Sequence, residues 1–427
     1  MKQVIFLLFM FTMSETLASG QTITFNDSVA VYFQEIQANT AHYKDLWNLD
    51  IYGPVLLVDP GSRKIYANYP DSAGVLKQDG KIYTGLLPVN INIANTSIKW
   101  NGRSWAMIML PLPEDRQDRL DLLSHELFHR SQPVLGFHMS NAENNHLDKR
   151  DGRIYLRLEL EALRQAMTAK TISDARNHLT NALFFRKTRY SLFPGAATSE
   201  NLMELNEGLA EYTGTIMSGR SDEETVKHFE QKLIDFQNFP TFVRSFAYVT
   251  TPLYGFILER TAKYWNRNIT STTNLTDYFT KAFSLTVPVN LCPDCISQYG
   301  SDKIMAEETK READKVEQIV VFRRTFIEHP HLDVRFEKMN ISFDPRNIVP
   351  LEGYGTVYPT MRVYDNWGIL TVTGGALLGS NWDKVTLSEP TLITSDKVSG
   401  NGWVLELNKD YIVEKNSSDG NYHLKKN

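Results

Sequence analysis

The sequence predicts an α+β protein: a mostly helical core, residues 114–331, preceded by a β-rich region, residues 21–113, and followed by an all-β, sandwich-like part, residues 332–427. Three observations predict it. Apolar residues fall in short alternating runs as far as Pro113, then recur every three to four residues to about Leu332, then return to short runs punctuated by Gly, Asn, Asp and Thr. A chain of 427 residues is long for one ordinary domain. Its 42% hydrophobic and 22% charged residues are a globular composition, and a net charge of −5 leaves no basic footprint for nucleic acid or acidic lipid.

The first element is a leader. Lys2, the apolar run Val4–Met13 and the small residues Ala18, Ser19 and Gly20 form the pattern of a secretory signal peptide over residues 1–20. An apolar run of about ten residues is too short for a membrane-spanning helix, which needs about 20. The chain is therefore expected to be exported, to a periplasm or the extracellular space, without stable membrane insertion of the mature part. In the β-rich region, Pro54–Val58 ends in the turn signal Asp59-Pro60-Gly61, and Gln78-Asp79-Gly80 marks a hairpin. The run Ser104–Leu110, bounded by Gly102 and Pro111, is the strongest strand candidate, and as an edge strand it would hold an extended peptide by strand addition.

Helical periodicity starts behind Glu114 and Asp115, with Leu120, Leu123 and Leu127 as an apolar stripe ahead of Pro133. It continues through Arg153–Met167, Ser173–Arg186, Glu200–Ser218, Asp222–Phe236, the region around Pro252–Tyr264, and Asp302–Phe326. Gly368–Thr373 and Trp403–Leu407 are typical of the short strands that follow. The only two cysteines, Cys292 and Cys295, stand as Cys-Pro-Asp-Cys. A four-thiolate zinc site needs two more, and no βαβ pattern surrounds them as a thioredoxin-like unit would require, so a tight local disulfide is the plain reading in an oxidising compartment.

The chemistry concentrates in Ser124-His125-Glu126-Leu127-Phe128-His129, a His-Glu-x-x-His motif inside a helical pattern. Residues four apart on a helix turn by about 400° and rise about 6 Å, so both imidazoles face one way and can share one metal ion. Glu126 lies beside them, within reach of a metal-bound water whose pKa zinc lowers towards about 7. Downstream, Glu204-Leu205-Asn206-Glu207-Gly208-Leu209-Ala210-Glu211 places three carboxylates on one helix face. One of them can bind metal while another orients a histidine. Glu159 and Glu161 are further candidates for the third ligand.

A His-Glu-x-x-His helix followed by a helix with Asn-Glu-Gly-x-Ala resembles the gluzincin metallopeptidases, the group of thermolysin and the aminopeptidase-N-like enzymes. The resemblance covers roughly His125 to Tyr264. It implies a single zinc ion held by His125, His129 and Glu207, with Glu126 as general base. It also implies a donor for the developing oxyanion, for which Tyr254 and Tyr248 are both candidates in the stretch Ala247–Gly255. The peptide-amine-reading segment of the aminopeptidase branch has no counterpart at Ser104-Trp105-Ala106-Met107-Ile108, which argues against aminopeptidase activity. The resulting expectation is an exported zinc-dependent metallopeptidase acting on peptide or protein substrates. The rival readings are a zinc-binding scaffold without turnover and a zinc hydrolase of non-peptide amides or esters.

Overall fold

The computed structural model describes residues 25–138, 142–344 and 348–427. The leader expected over residues 1–20 lies outside them. The fold is α+β, with strands at both ends of the chain and helices between. Among the described residues no helix is long and apolar enough to cross a membrane.

The β-rich region opens on a helix, α1 (Phe25–His42), which the sequence reading did not assign; its buried Val29, Phe33 and Ile36 follow helical spacing. Six strands follow: β1 (Val55–Val58), β2 (Lys64–Ala67), β3 (Lys77–Asp79), β4 (Ile82–Leu86), β5 (Thr96–Trp100) and β6 (Arg103–Met109). They form one sheet in the order β3-β4-β2-β1-β6-β5. Asp59-Pro60-Gly61 does turn the chain between β1 and β2, and Gly80, at φ +62°, closes the β3–β4 hairpin.

The expectation of an edge strand at Ser104–Leu110 is corrected. β6 runs parallel to β1 on one side and antiparallel to β5 on the other, so β5 is the edge. The reason is in the residues of β6. Ala106 and Ile108 pack with the helices, while Trp105 and Met107 join a separate cluster with Leu56, Val58 and Trp100 on the opposite face. A strand apolar on both faces belongs inside a sheet.

The helices are α2 (Arg116–Ser131), α3 (Arg150–Thr168), α4 (Ile172–Leu192), α5 (Ala196–Met203), α6 (Leu209–Met217), α7 (Asp222–Gln237), α8 (Ala247–Glu259), α9 (Leu275–Ala282), α10 (Pro293–Ser297) and α11 (Ser301–Arg323). A π-helical turn, Glu204–Gly208, joins α5 to α6. Asp115 caps α2 by accepting from the Asp118 backbone N–H, and Ser221 with Glu224 forms a capping box on α7. α8 begins five residues before the expected Pro252, which sits inside it. Cys292 and Cys295 are joined as a disulfide at the start of α10.

Among the described residues, thirteen strands follow from His331 onwards: β7 (His331–Arg335), β8 (Asn340–Phe343), β9 (Val349–Leu351), β10 (Gly355–Tyr358), β11 (Met361–Asp365), β12 (Gly368–Val372), β13 (Ala376–Gly379), β14 (Lys384–Ser388), β15 (Pro390–Ile393), β16 (Lys397–Gly400), β17 (Trp403–Leu407), β18 (Tyr411–Lys415) and β19 (Tyr422–Lys426). They form a seven-stranded sheet, β18-β19-β7-β14-β13-β10-β9, and a six-stranded one, β15-β16-β17-β12-β11-β8. Leu332, Val334 and Val385 of the first share one apolar core with Val363, Leu370 and Leu405 of the second, as in a two-layer sandwich.

α2 and α6 cross closely because Gly214 faces the backbone of Asp121. A Cβ at Gly214 would meet both the carbonyl and the carboxylate oxygens of Asp121. Gly214→Ala should therefore wedge the two helices apart and destabilise the protein by about 1–3 kcal/mol, read as a lower melting temperature. An unchanged melting temperature would show that this contact yields without cost.

Candidate metal centre

Three ligand atoms converge between α2 and the π-helical turn. His125 Nε2 and His129 Nε2 are 3.0 Å apart, and Glu207 Oε2 stands 3.2 Å from His129 Nε2 and 3.8 Å from His125 Nε2. A point about 2.0 Å from all three lies at the centre of that triangle. Zinc–nitrogen bonds of about 2.0–2.1 Å and zinc–oxygen bonds of about 2.0–2.2 Å fit it. Among the described residues, these three form the group of His, Cys and carboxylate side chains able to hold a metal ion.

The partners of each ring fix its tautomer. Gln132 Nε2 donates to the carbonyl oxygen of Asn206 at 2.8 Å, so Gln132 Oε1 faces His129 Nδ1, also at 2.8 Å, and must accept from it. Glu211 Oε2 accepts from His125 Nδ1 at 2.8 Å. With both Nδ1 atoms donating, each neutral ring turns a bare Nε2 lone pair towards the other and towards a carboxylate. Such a set is stable only around positive charge. Burial pushes both imidazoles towards neutrality, but Glu207, Glu211 and Glu126 outweigh it at His125, and Glu207 and Glu126 at His129, so both are raised. Burial likewise pushes Glu207 up, yet His129 and His125 hold it well below the usual carboxylate range.

Glu126, beside His125 on α2, is 4% exposed, and its Oε2 has no hydrogen-bond partner among the described residues. Burial raises its carboxyl, with the imidazoles opposing. It lines a cavity of about 850 Å³ that also takes in His125, Glu211 and Tyr248. The far walls come from Asn95, just ahead of β5, from Met109 at the end of β6, and from Phe343 and Met361 of the sandwich. Such a carboxylate, buried at the wall of a cleft and raised towards holding a proton, has the surroundings that general-base chemistry requires.

The two tyrosines separate. Tyr248 Oη donates to Glu207 Oε2 at 2.6 Å, and its ring stacks on that of His125, centroids 5.7 Å apart. Tyr254 is fully buried elsewhere, donating to Glu159 Oε1 at 3.1 Å with Arg186 over its ring, so the structure does not bring it to the cluster. Nor does it bring the other candidate ligands there. Glu159 pairs with Arg186 and Arg189, Glu161 with Arg164, and Glu204 with Arg186 and Thr250.

Sequence reasoning missed Gln132, the lock on His129, whose three-residue spacing from that histidine was a usable signal. It missed Lys232, which pairs with Glu211 from α7. It also missed the buried network of α3, α4 and α5, in which Arg189 makes two bonds to Glu200, at 2.7 and 2.6 Å, and His146 adds a third at 2.7 Å. No family model, curated protein or solved structure matches the chain.

Burial pushes the Glu200 carboxyl up, but Arg189 and His146 outweigh it and hold it at about 2. A depressed folded-state pKa stabilises above the unfolded value of about 4.3, and the contribution is lost as pH falls through the folded value. Stability should therefore drop by about 3 kcal/mol from this group between pH of about 4 and about 2. Melting temperatures of wild type and Glu200→Gln across that window test it: the wild-type decline should be the steeper, and parallel curves would refute the assignment.

Proposed function

We propose that the protein is an exported zinc metallopeptidase with a gluzincin-like helical core over residues 114–331. The observation that carries the reading is the convergence of three lone pairs on one point, with a buried and unpaired carboxylate beside them at the wall of a cleft. His125 Nε2, His129 Nε2 and Glu207 Oε2 would hold the ion. Zinc there would lower the pKa of a water towards about 7 and polarise a substrate carbonyl.

The remaining steps belong to the side chains. Glu126 Oε2 takes the proton of the attacking water and returns it to the leaving amine nitrogen. Tyr248 Oη, fixed by its ring stacking on His125, turns its proton from Glu207 to the carbonyl oxygen as negative charge develops there. Glu211 and Gln132 keep the imidazoles oriented. The Cys292–Cys295 disulfide fits an oxidising destination and so supports export.

Elemental analysis and a peptide-library assay test this together. Wild type should hold near-stoichiometric zinc, Glu207→Ala should lose it, and Glu159→Ala should retain its site. Glu126→Gln should keep zinc and lose hydrolysis, while Tyr248→Phe should lower kcat by about 10²-fold or more, the scale of removing one oxyanion donor. Retained hydrolysis in Glu126→Gln would overturn the mechanism. Zinc without turnover on any peptide would favour the scaffold reading.

A further inference from the structure

A second cavity, of about 730 Å³, lies between α11 and one end of the seven-stranded sheet, apart from the metal centre. Its position follows from strand register. β10 pairs antiparallel to β13 with Gly355 opposite Gly379, so the β9–β10 turn and the β13–β14 turn emerge side by side. The first turn carries Tyr354 and the second Trp382, and both line the cavity. Tyr354 is 38% exposed and Trp382 40% exposed, large fractions for aromatic residues at the mouth of one groove.

Two features mark the place as built. Trp382 has φ +56°, a left-handed backbone that a bulky residue rarely adopts. Strain of this kind persists where the surroundings over-determine it and clusters at ligand sites. Across the groove, the wall is fixed by Asp148, 3% exposed, whose Oδ2 accepts from Lys315 Nζ at 3.0 Å.

The ligand class follows from the lining. Four carboxylates and three basic side chains surround the groove, so neither sign of charge dominates and donors and acceptors are interleaved. That suits a neutral molecule whose groups both donate and accept, with apolar faces broad enough for aromatic rings. An extended peptide fits less well. The neighbouring sheet edge is β9, whose central residue, Pro350, lacks the N–H that strand addition uses. We propose that this groove binds a neutral oligosaccharide, with Trp382 and Tyr354 stacking on sugar-ring faces and the interleaved carboxylates and basic groups of the lining hydrogen-bonding to its hydroxyls. The proposal does not depend on the reading of the metal centre.

The test titrates the intact protein with hexamers of glucose, mannose, xylose and N-acetylglucosamine, following tryptophan fluorescence and binding heat. At least one hexamer should bind, and Tyr354→Ala and Trp382→Asn should each weaken it at least tenfold while zinc content stays unchanged. Asn accepts the left-handed backbone, so Trp382→Asn should hold the melting temperature, separating loss of the platform from loss of the fold. No binding of any hexamer at about 10 mM, or undiminished binding in both variants, would overturn the proposal.

Discussion

Two imidazole nitrogens 3.0 Å apart, each with its lone pair aimed at the other, repel unless something positive lies between them. The surroundings of His125 and His129 enforce that arrangement. Gln132 cannot rotate to offer its amide N–H to His129 without giving up its bond to the Asn206 carbonyl. Glu211 can only accept from His125. The constraint reaches outward, since Glu211 must stay close to α2, and α6 can bring it there only because position 214 has no side chain. The helix pair, the tautomers and the carboxylates thus serve one requirement, a fixed negative pocket complementary to a cation.

Much of this was legible in the sequence where the information is local. The His-Glu-x-x-His spacing specifies a shared face once the segment is helical, and the apolar stripe of Leu120, Leu123 and Leu127 makes it helical. The turns at Asp59-Pro60-Gly61 and Gly80 are likewise fixed by the residues that form them. The choice between Tyr248 and Tyr254 was open because it depends on where α8 begins. Six residues on a helix turn by about 600°, so the two hydroxyls leave from different faces and only one can reach α2. α1 escaped notice because its buried positions include Asn39 and Thr40, which blur the apolar stripe.

The position of β6 shows a different limit. Besides its hairpin partner β5, its other neighbour β1 comes from far back in the chain, and alternation alone does not reveal it. The sign was in its composition, because Trp105, Ala106, Met107 and Ile108 leave no polar face for solvent. The cleft wall on this side is formed by Ile93 and Asn95 ahead of β5, by Met109 at the end of β6, and by the sandwich residues Phe343 and Met361. Long-range assembly of this kind brings together segments hundreds of positions apart, as in the bond from Asn92 to Asn340 across 248 positions.

The long segment between His129 and Glu207 also acquires a physical role. Four glutamates, 200, 204, 207 and 211, descend the continuous stretch from α5 through the π-helical turn into α6. Arg189 of α4 takes Glu200, Arg186 of α4 takes Glu204, and Lys232 of α7 takes Glu211. Glu207 alone of the four has no Lys or Arg paired with it among the described residues; it meets only Tyr248, Asn206 and the two histidines. Desolvating a carboxylate costs several kcal/mol unless a partner offsets it. By pairing the neighbouring glutamates, α4 and α7 leave Glu207 to the two histidines, Asn206 and Tyr248, at the point where the imidazole nitrogens meet.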